Sequence, residues 1–296
     1  MTAPLLTRRE AVVRAGLLAA AAATGTGRLL DLFGPGTAAA ATAQANQVAS
    51  SFASQALASR LHLAVHLPPG YDETRRYPVV YFLHGLPAAP SAYLSFAWVA
   101  KAVWASGEAL VVIPQASRSQ NGDPEYLNWG RGDDWETALA VELPAYVDRT
   151  YSTVATRAGR AVVGVSAGGY GATALGLHHP STFSVIQSWS GYFRPTDPTG
   201  ATPLQLAAAE EATDDLQNLV PKLRAQFASH PTSLAFYVGR GDPTFVADNV
   251  AFHEQLTAAK VPHLFELYAG GHTTTLWQTH AAGWLGLALS KLDRAT

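Results

Sequence analysis

The 296-residue chain contains no cysteine, which excludes disulfides, thiolate metal sites and a cysteine nucleophile. It is also poor in charge. Only 14% of residues are charged and the formal net charge is −2, so there is neither a basic footprint for nucleic acid nor an acidic tail. No apolar run reaches the ~20 residues that span a bilayer. The longest candidate, Ala15 to Ala23, is short and rich in Ala and Gly. The helix pattern H-E-x-x-H is missing too. His178-His179 and His253-Glu254 lack the spacing that sets two ligands on one helix face, so no metal or organic cofactor is implied. What remains is a chain with 48% hydrophobic residues, enough for one sizeable core.

Residues 1–43 read as an export signal. Arg8-Arg9 precedes the apolar stretch, and small residues lead to Ala41-Thr42-Ala43, an A-x-A-like cleavage site. The paired arginines resemble the twin-arginine type. With no cysteine after the apolar stretch, a lipoprotein anchor is ruled out. The expectation is a protein secreted or held in the cell envelope, with no stable membrane span after cleavage and a mature part of 44–296.

Along 44–296, apolar β-branched runs alternate with segments of helical period. The strand candidates are Arg60–Leu67, Tyr77–Leu83, Ala109–Ile113, Arg160–Val165, Ser184–Ser190, Ser233–Val238 and His263–Tyr268. The helix candidates are Ser91–Ala105, Trp135–Tyr151, Tyr170–His178, Leu216–Ala228, Ala247–Ala259 and Thr274–Leu292. Strands apolar throughout and separated by helices imply an α/β fold with a mostly parallel sheet covered on both faces. Residues 192–211, rich in Pro, Thr, Gly and Ala, break the alternation. They read either as a surface excursion or as a lid or pocket wall, because they leave the sheet just after a strand end.

Gly164-Val165-Ser166-Ala167-Gly168 fits G-x-S-x-G, with a strand before it and a helix after it. That setting gives the motif mechanical meaning: a sharp turn exposes the serine hydroxyl at a helix N-terminus. A serine needs a base. His272, in Tyr268-Ala-Gly-Gly-His272, follows the last strand, where the third member of a Ser-acid-His order belongs. The acid must lie between them, after a strand. Asp242 does, in a turn flanked by glycines. Asp248 falls in or at the next helix, Glu266 within a strand, and Asp214 and Asp215 read as solvated helix caps. Asp before Pro is also a common turn former. The oxyanion hole requires one N–H from Ala167, next to the nucleophile, and one from the loop after an earlier strand, for which Leu86 is the candidate. His84 could be taken for a base, but its place at a strand end suggests a structural role.

These motifs give the chain a resemblance to the putative-esterase (esterase D-like) family of α/β-hydrolases, which includes S-formylglutathione hydrolases, feruloyl esterases and secreted mycolyltransferases. The likeness is carried by HLPPGYDETRRYPVVYFLHGL (66–86), WETALAVELPAYVDRTY (135–151), GRAVVGVSAGGYGA (159–172), FSVIQSWSGYF (183–193), YVGRGDP (237–243) and YAGGHTTTLW (268–277). It implies the α/β-hydrolase fold, the triad Ser166, Asp242 and His272, and oxyanion donors on Leu86 and Ala167. Where the mycolyltransferases hold trehalose with an Asp and an Arg beside the Gly-Leu pair, this chain has His84 and Pro87. The S-formylglutathione branch is cytosolic, unlike a chain with an export signal. The expected activity is therefore hydrolysis of small-molecule, polysaccharide or lipid esters through an acyl-enzyme. Two alternatives stand beside it. One is an acyltransferase using a sugar or lipid hydroxyl. The other is a non-catalytic wall- or carbohydrate-binding protein that presents Trp98, Trp104, Trp129 and Trp135 as a stacking surface.

Overall fold

The computed structural model describes residues 47–119, 122–196, 203–294 and 296. The expected signal segment 1–43 lies outside the described residues, as do residues 197–202 within the expected excursion 192–211.

Eight strands form one sheet: β1 (Gln47–Ser54), β2 (Ser59–His66), β3 (Val79–Leu83), β4 (Leu110–Pro114), β5 (Arg160–Val165), β6 (Val185–Trp189), β7 (Ser233–Gly239) and β8 (Leu264–Tyr268). Their order is β1-β2-β4-β3-β5-β6-β7-β8. The first two pairings, β1 with β2 and β2 with β4, are antiparallel, and the others are parallel. This is the α/β-hydrolase arrangement expected from the sequence. The seven strand candidates all appear. β1 is an addition that the pattern did not reveal: its sequence, QVASSFAS, is mostly Ser and Ala and only its last residue is buried. It pairs with β2 as a hairpin through Gln47↔His66 to Ser54↔Ser59. That cover is one reason β2, expected to be half-exposed, has Leu63 to His66 buried.

Alternate residues of the central strands enter two separate cores. Val162 and Ile186 pack with α3 (Ala167–His178), α5 (Val220–Ser229) and α6 (Val246–Ala258). Val163, Val165, Val185 and Trp189 pack with α1 (Ala97–Trp104) and α7 (Thr274–Leu289). The period-two alternation thus buries both faces, which is why these strands are apolar throughout. The short α4 (Ala208–Asp214) lies within the excursion.

Two expected helices are modified. Ser91–Ala105 divides into a 3₁₀ turn (Ala92–Ser95) and α1, because Phe96 turns inward and stacks on His84 at 5.9 Å between centroids. Trp135–Tyr151 starts as α-helix (Trp135–Thr137), widens to a π-turn (Ala138–Glu142) and resumes as α2 (Leu143–Thr150). Pro144 sits in the first turn of α2. It has no N–H, and its ring would crowd the carbonyl four residues back, so the looser turn relieves it. The π-turn ends on Glu142, whose carboxylate accepts from Ser54 Oγ at 2.5 Å and from the Gln55 and Ala56 N–H groups at 3.1 Å. It therefore fastens the turn of the β1–β2 hairpin to the helical layer.

Candidate active site

The parallel strands end at one rim of the sheet, and the chemistry-bearing residues sit in the loops that leave them. Ser166 lies between β5 and α3 with φ 57° and ψ −125°, a conformation that costs free energy for a residue with a Cβ. The turn is held on both sides. The Ser166 N–H donates to the Trp189 carbonyl at 2.9 Å, and the Ser166 carbonyl accepts from Gly169 N–H at 2.7 Å. Close approach requires glycine at two positions. A Cβ on Gly164 would stand 1.9 Å from the Gly168 carbonyl oxygen, and one on Gly168 would stand 2.1 Å from that of Leu83.

Asp242 follows β7 and His272 follows β8. Their loops are joined backbone to backbone: the Gly241 N–H donates to the Gly270 carbonyl at 2.8 Å and the Arg240 N–H to that of Tyr268 at 2.8 Å. Gly239 permits the approach, since a Cβ there would lie 2.4 Å from the Gly270 oxygen. Gly270 itself has φ +123°, which only glycine adopts readily.

These loops bring three side chains, distant in sequence, into one line. His272 Nδ1 lies 2.8 Å from Asp242 Oδ2, and His272 Nε2 lies 3.0 Å from Ser166 Oγ. A carboxylate can only accept, so Nδ1 carries the proton and Nε2 accepts from the serine hydroxyl. Asp242 is fully buried. Its other oxygen accepts from the Thr244 and Phe245 N–H groups at 3.0 and 3.1 Å. Burial alone would raise its pKa. The bond to His272, the charge of that ring and the two backbone donors outweigh burial and hold the carboxyl below its ordinary value. His272 is flanked by Phe245 at 5.1 Å and edge-on by Trp277 at 5.1 Å. Trp277 is fixed in turn by its Nε1–H to Ser190 Oγ at 3.0 Å.

The other candidates lie elsewhere. Asp248, on α6, accepts from the Phe193 N–H and from Gln217 Nε2. Glu266 is on β8 and accepts from the Tyr268 hydroxyl. Asp214 and Asp215, expected as solvated caps, are both 4% exposed. Asp215 does cap a helical turn, accepting from Gln217 N–H at 3.1 Å, but its second oxygen is held by Arg194. His84 is 1% exposed and its Nδ1 donates to the Gly85 carbonyl at 2.9 Å. Burial pushes its pKa down to about 4, against the opposing effect of that bond. It is a neutral, structural imidazole, as its strand-end position suggested.

Leu86 and Ala167 are both buried. Ala167 opens α3, so its N–H is one of the first-turn donors that a helix leaves without an intrahelical acceptor. The loop carrying Leu86 meets this helix start directly, because Gly168 lies against the Leu83 and His84 carbonyls. The four tryptophans considered as a stacking surface do not form one. Trp135 is buried, and Trp98, Trp104 and Trp129 are half-buried. Trp98 packs on Phe82, Phe96 and Trp189. Among the described residues no group of His, Asp or Glu is arranged to hold a metal ion, and no helix is long and apolar enough to cross a membrane.

The excursion is pinned where it begins. Tyr192 stacks between Tyr170 at 5.5 Å and Phe245 at 4.9 Å. Its hydroxyl donates to Glu125 at 2.6 Å. Tyr192, Phe245 and Trp277, which surround His272 or support its neighbours, escaped the sequence reading. Aromatic residues with helical spacing are ordinarily core, and only the fold reveals which of them border the imidazole.

A family model described as "Esterase: Putative esterase" matches residues 54–284. A stretch of 96 residues is 32% identical to the MPT51/MPB51 antigen of Mycobacterium tuberculosis, covering 32% of this chain and 30% of that protein. A stretch of 76 residues is 36% identical to the diacylglycerol acyltransferase/mycolyltransferase Ag85A of Mycobacterium leprae, covering 26% of this chain and 22% of that one. The chain thus spans about 30% of the length of the first of these curated relatives. Among solved structures, a ferulic acid esterase superposes with TM-score 0.67 at 23% identity, over 82% of this chain and 97% of that one. An S-formylglutathione hydrolase from Agrobacterium tumefaciens does so with TM-score 0.69 at 20% identity, over 83% and 95%. At those identities the likeness is one of fold.

Proposed function

The chain belongs to the putative-esterase family and has the α/β-hydrolase fold, and from that premise we propose that it is an exported serine esterase that cleaves carboxylic esters through an acyl-enzyme. The observation that carries the reading is the unbroken path from Asp242 Oδ2 to His272 Nδ1 and from His272 Nε2 to Ser166 Oγ, at 2.8 and 3.0 Å.

In this mechanism Ser166 Oγ attacks the ester carbonyl carbon while His272 Nε2 takes its proton. Asp242 keeps the proton on Nδ1 and stabilises the imidazolium that forms. The Leu86 and Ala167 N–H groups receive the carbonyl oxygen as it becomes negative. The imidazolium then protonates the leaving alcohol. Water attacks the acyl-enzyme, again giving its proton to His272, and the imidazolium returns that proton to Ser166 Oγ as the acyl bond breaks and the acid departs. The reading invokes no metal or cofactor. Export is supported by the Arg8-Arg9 segment and the Ala41-Thr42-Ala43 site. Its test is whether a full-length chain is recovered outside the cytoplasm, cut near residue 43, and retained inside when both arginines are replaced by lysine.

Reaction with a fluorophosphonate, followed by peptide mapping, should place one label on Ser166. Ser166→Ala should abolish labelling and lower kcat by ~10⁶ on p-nitrophenyl esters. Retention of more than a tenth of wild-type turnover by that variant would remove Ser166 from the mechanism. A panel of acyl chain lengths, with feruloyl and acetyl-xylan esters, then ranks substrates.

A second reading, acyl transfer to a sugar or lipid hydroxyl, is favoured by the likeness to the diacylglycerol acyltransferase/mycolyltransferase. Product analysis with an added acceptor alcohol separates it from hydrolysis. The binding-protein alternative requires an inert Ser166, which the same labelling tests.

A further inference from the structure

Left-handed backbone is unfavourable for any residue with a Cβ, yet two such residues stand in succession: Glu125 at φ 50° and Tyr126 at φ 58°. Both are fully buried. The contacts that impose the conformation are specific. The Glu125 carboxylate accepts from the Tyr192 hydroxyl at 2.6 Å, from the Thr196 N–H at 3.1 Å and from the Thr196 hydroxyl. The Tyr126 ring lies flush on Gly171 of α3, where a Cβ would come within 2.4 Å of its Cγ. The Tyr126 hydroxyl donates to the His84 carbonyl. Burial pushes that phenol far above its usual range, so it stays a donor at every working pH.

The acceptor is a consequential one. The His84 carbonyl belongs to the loop that carries the Leu86 N–H. One peptide further on, the Gly85 carbonyl is held by His84 Nδ1 at 2.9 Å. A peptide unit is planar, with its C=O and N–H pointing in opposite directions. Anchoring the His84 and Gly85 carbonyls therefore aims the Leu86 N–H. The His84 carbonyl also lies against Gly168, 2.7 Å from where a Cβ would be, one residue beyond Ala167. Tyr126 thus touches both halves of the candidate oxyanion hole, the loop with one donor and the helix whose first residue has the other.

We propose that Tyr126 is a positioning residue for the oxyanion hole: its ring on Gly171 and its hydroxyl on the His84 carbonyl set the spacing and direction of the Leu86 and Ala167 N–H groups. This rests on the esterase reading. Tyr126 touches no substrate and acts only through the loop and the helix. A donor misaligned with the developing oxyanion weakens the transition state more than the bound ester, so the effect belongs in kcat.

The test compares Tyr126→Phe with wild type on a p-nitrophenyl ester, with active sites titrated by fluorophosphonate. The expected result is a ~10-fold fall in kcat per titrated site, with KM and the midpoint of the acid limb of the pH profile unchanged. Tyr126→para-aminophenylalanine, which restores a donor, should recover most of the rate. Tyr126→para-methylphenylalanine, which fills the space without donating, should not. These two variants carry the same comparison if Tyr126→Phe does not fold. A per-site kcat within twofold of wild type overturns the proposal, as does a loss confined to KM or to the titrated fraction. If wild type itself is neither labelled at Ser166 nor active, the esterase reading falls and this inference with it. An active wild type with an unchanged Tyr126→Phe removes this inference alone.

Discussion

Asp242 stands on the far side of His272 from Ser166, and its place in the proposed mechanism depends on which tautomer it imposes. Asn at 242 would keep the size of the side chain but present an N–H₂ toward Nδ1, favouring the tautomer with the proton on Nε2. Asp242→Asn should therefore lower kcat by ~10⁴ with little change in thermal stability. The measurement is steady-state kinetics beside a melting curve, and an active Asn variant would dismiss Asp242 as the acid. Because Asp242 is held below the usual carboxylate range, it stays charged as the pH falls through the acid limb of kcat/KM. Ionisation of Asp242 should therefore contribute nothing to that limb. At this scale the sequence singled out the three side chains that the structure brings together, Ser166, Asp242 and His272, because each sits in a loop that follows a strand and contains or adjoins glycine. It was silent about Tyr126, Phe245 and Trp277, whose contacts are made by residues far away along the chain.

The elements meet at the Ser166 turn with no slack. Gly168→Ala would push a Cβ to 2.1 Å from the Leu83 oxygen and 2.7 Å from the His84 oxygen. Both are backbone atoms at a strand end and cannot rotate away. The expected cost exceeds ~3 kcal/mol, read by urea unfolding or by loss of soluble protein. Gly283 in α7 offers the contrast. It is exposed, and a Cβ there meets nothing within 4 Å. Gly283→Ala should stabilise by up to ~1 kcal/mol, the difference in helix propensity. Similar denaturation midpoints for the two variants would refute the packing argument. Element type was legible where an apolar run of strand length or a helical spacing stood out, as in β3 and β5 for the first and α3 for the second. It was not legible for β1, whose Ser- and Ala-rich sequence becomes a strand only because β2 offers a partner. The π-turn ahead of α2 was equally hidden, since Pro144 signals a disturbance without saying which form relieves it.

At the level of the whole molecule, two buried imidazoles make the fold sensitive to acid. His66 and His84 are 2% and 1% exposed, and burial lowers each pKa from 6.5 to about 4. Between those values the unfolded chain binds protons that the folded chain refuses, so stability rises with pH across that window. It is complete above about pH 6.5 and lost progressively as pH falls toward 4, each imidazole accounting for on the order of 3 kcal/mol. Thermal midpoints should fall steeply from pH 7 to 4, and His66→Leu should flatten the slope. A midpoint independent of pH over that range would show that these rings accept protons in the folded state. The sequence by itself determined the alternation of strands and helices and the order of serine, acid and histidine, because apolar periodicity and glycine turns are written locally. Only the tertiary structure decided that Ser166, Asp242 and His272 lie within hydrogen-bond distance, and which aromatic rings border them. Those distances depend on β5, β7 and β8 ending at one rim of a shared sheet, a relation between segments that no single segment encodes.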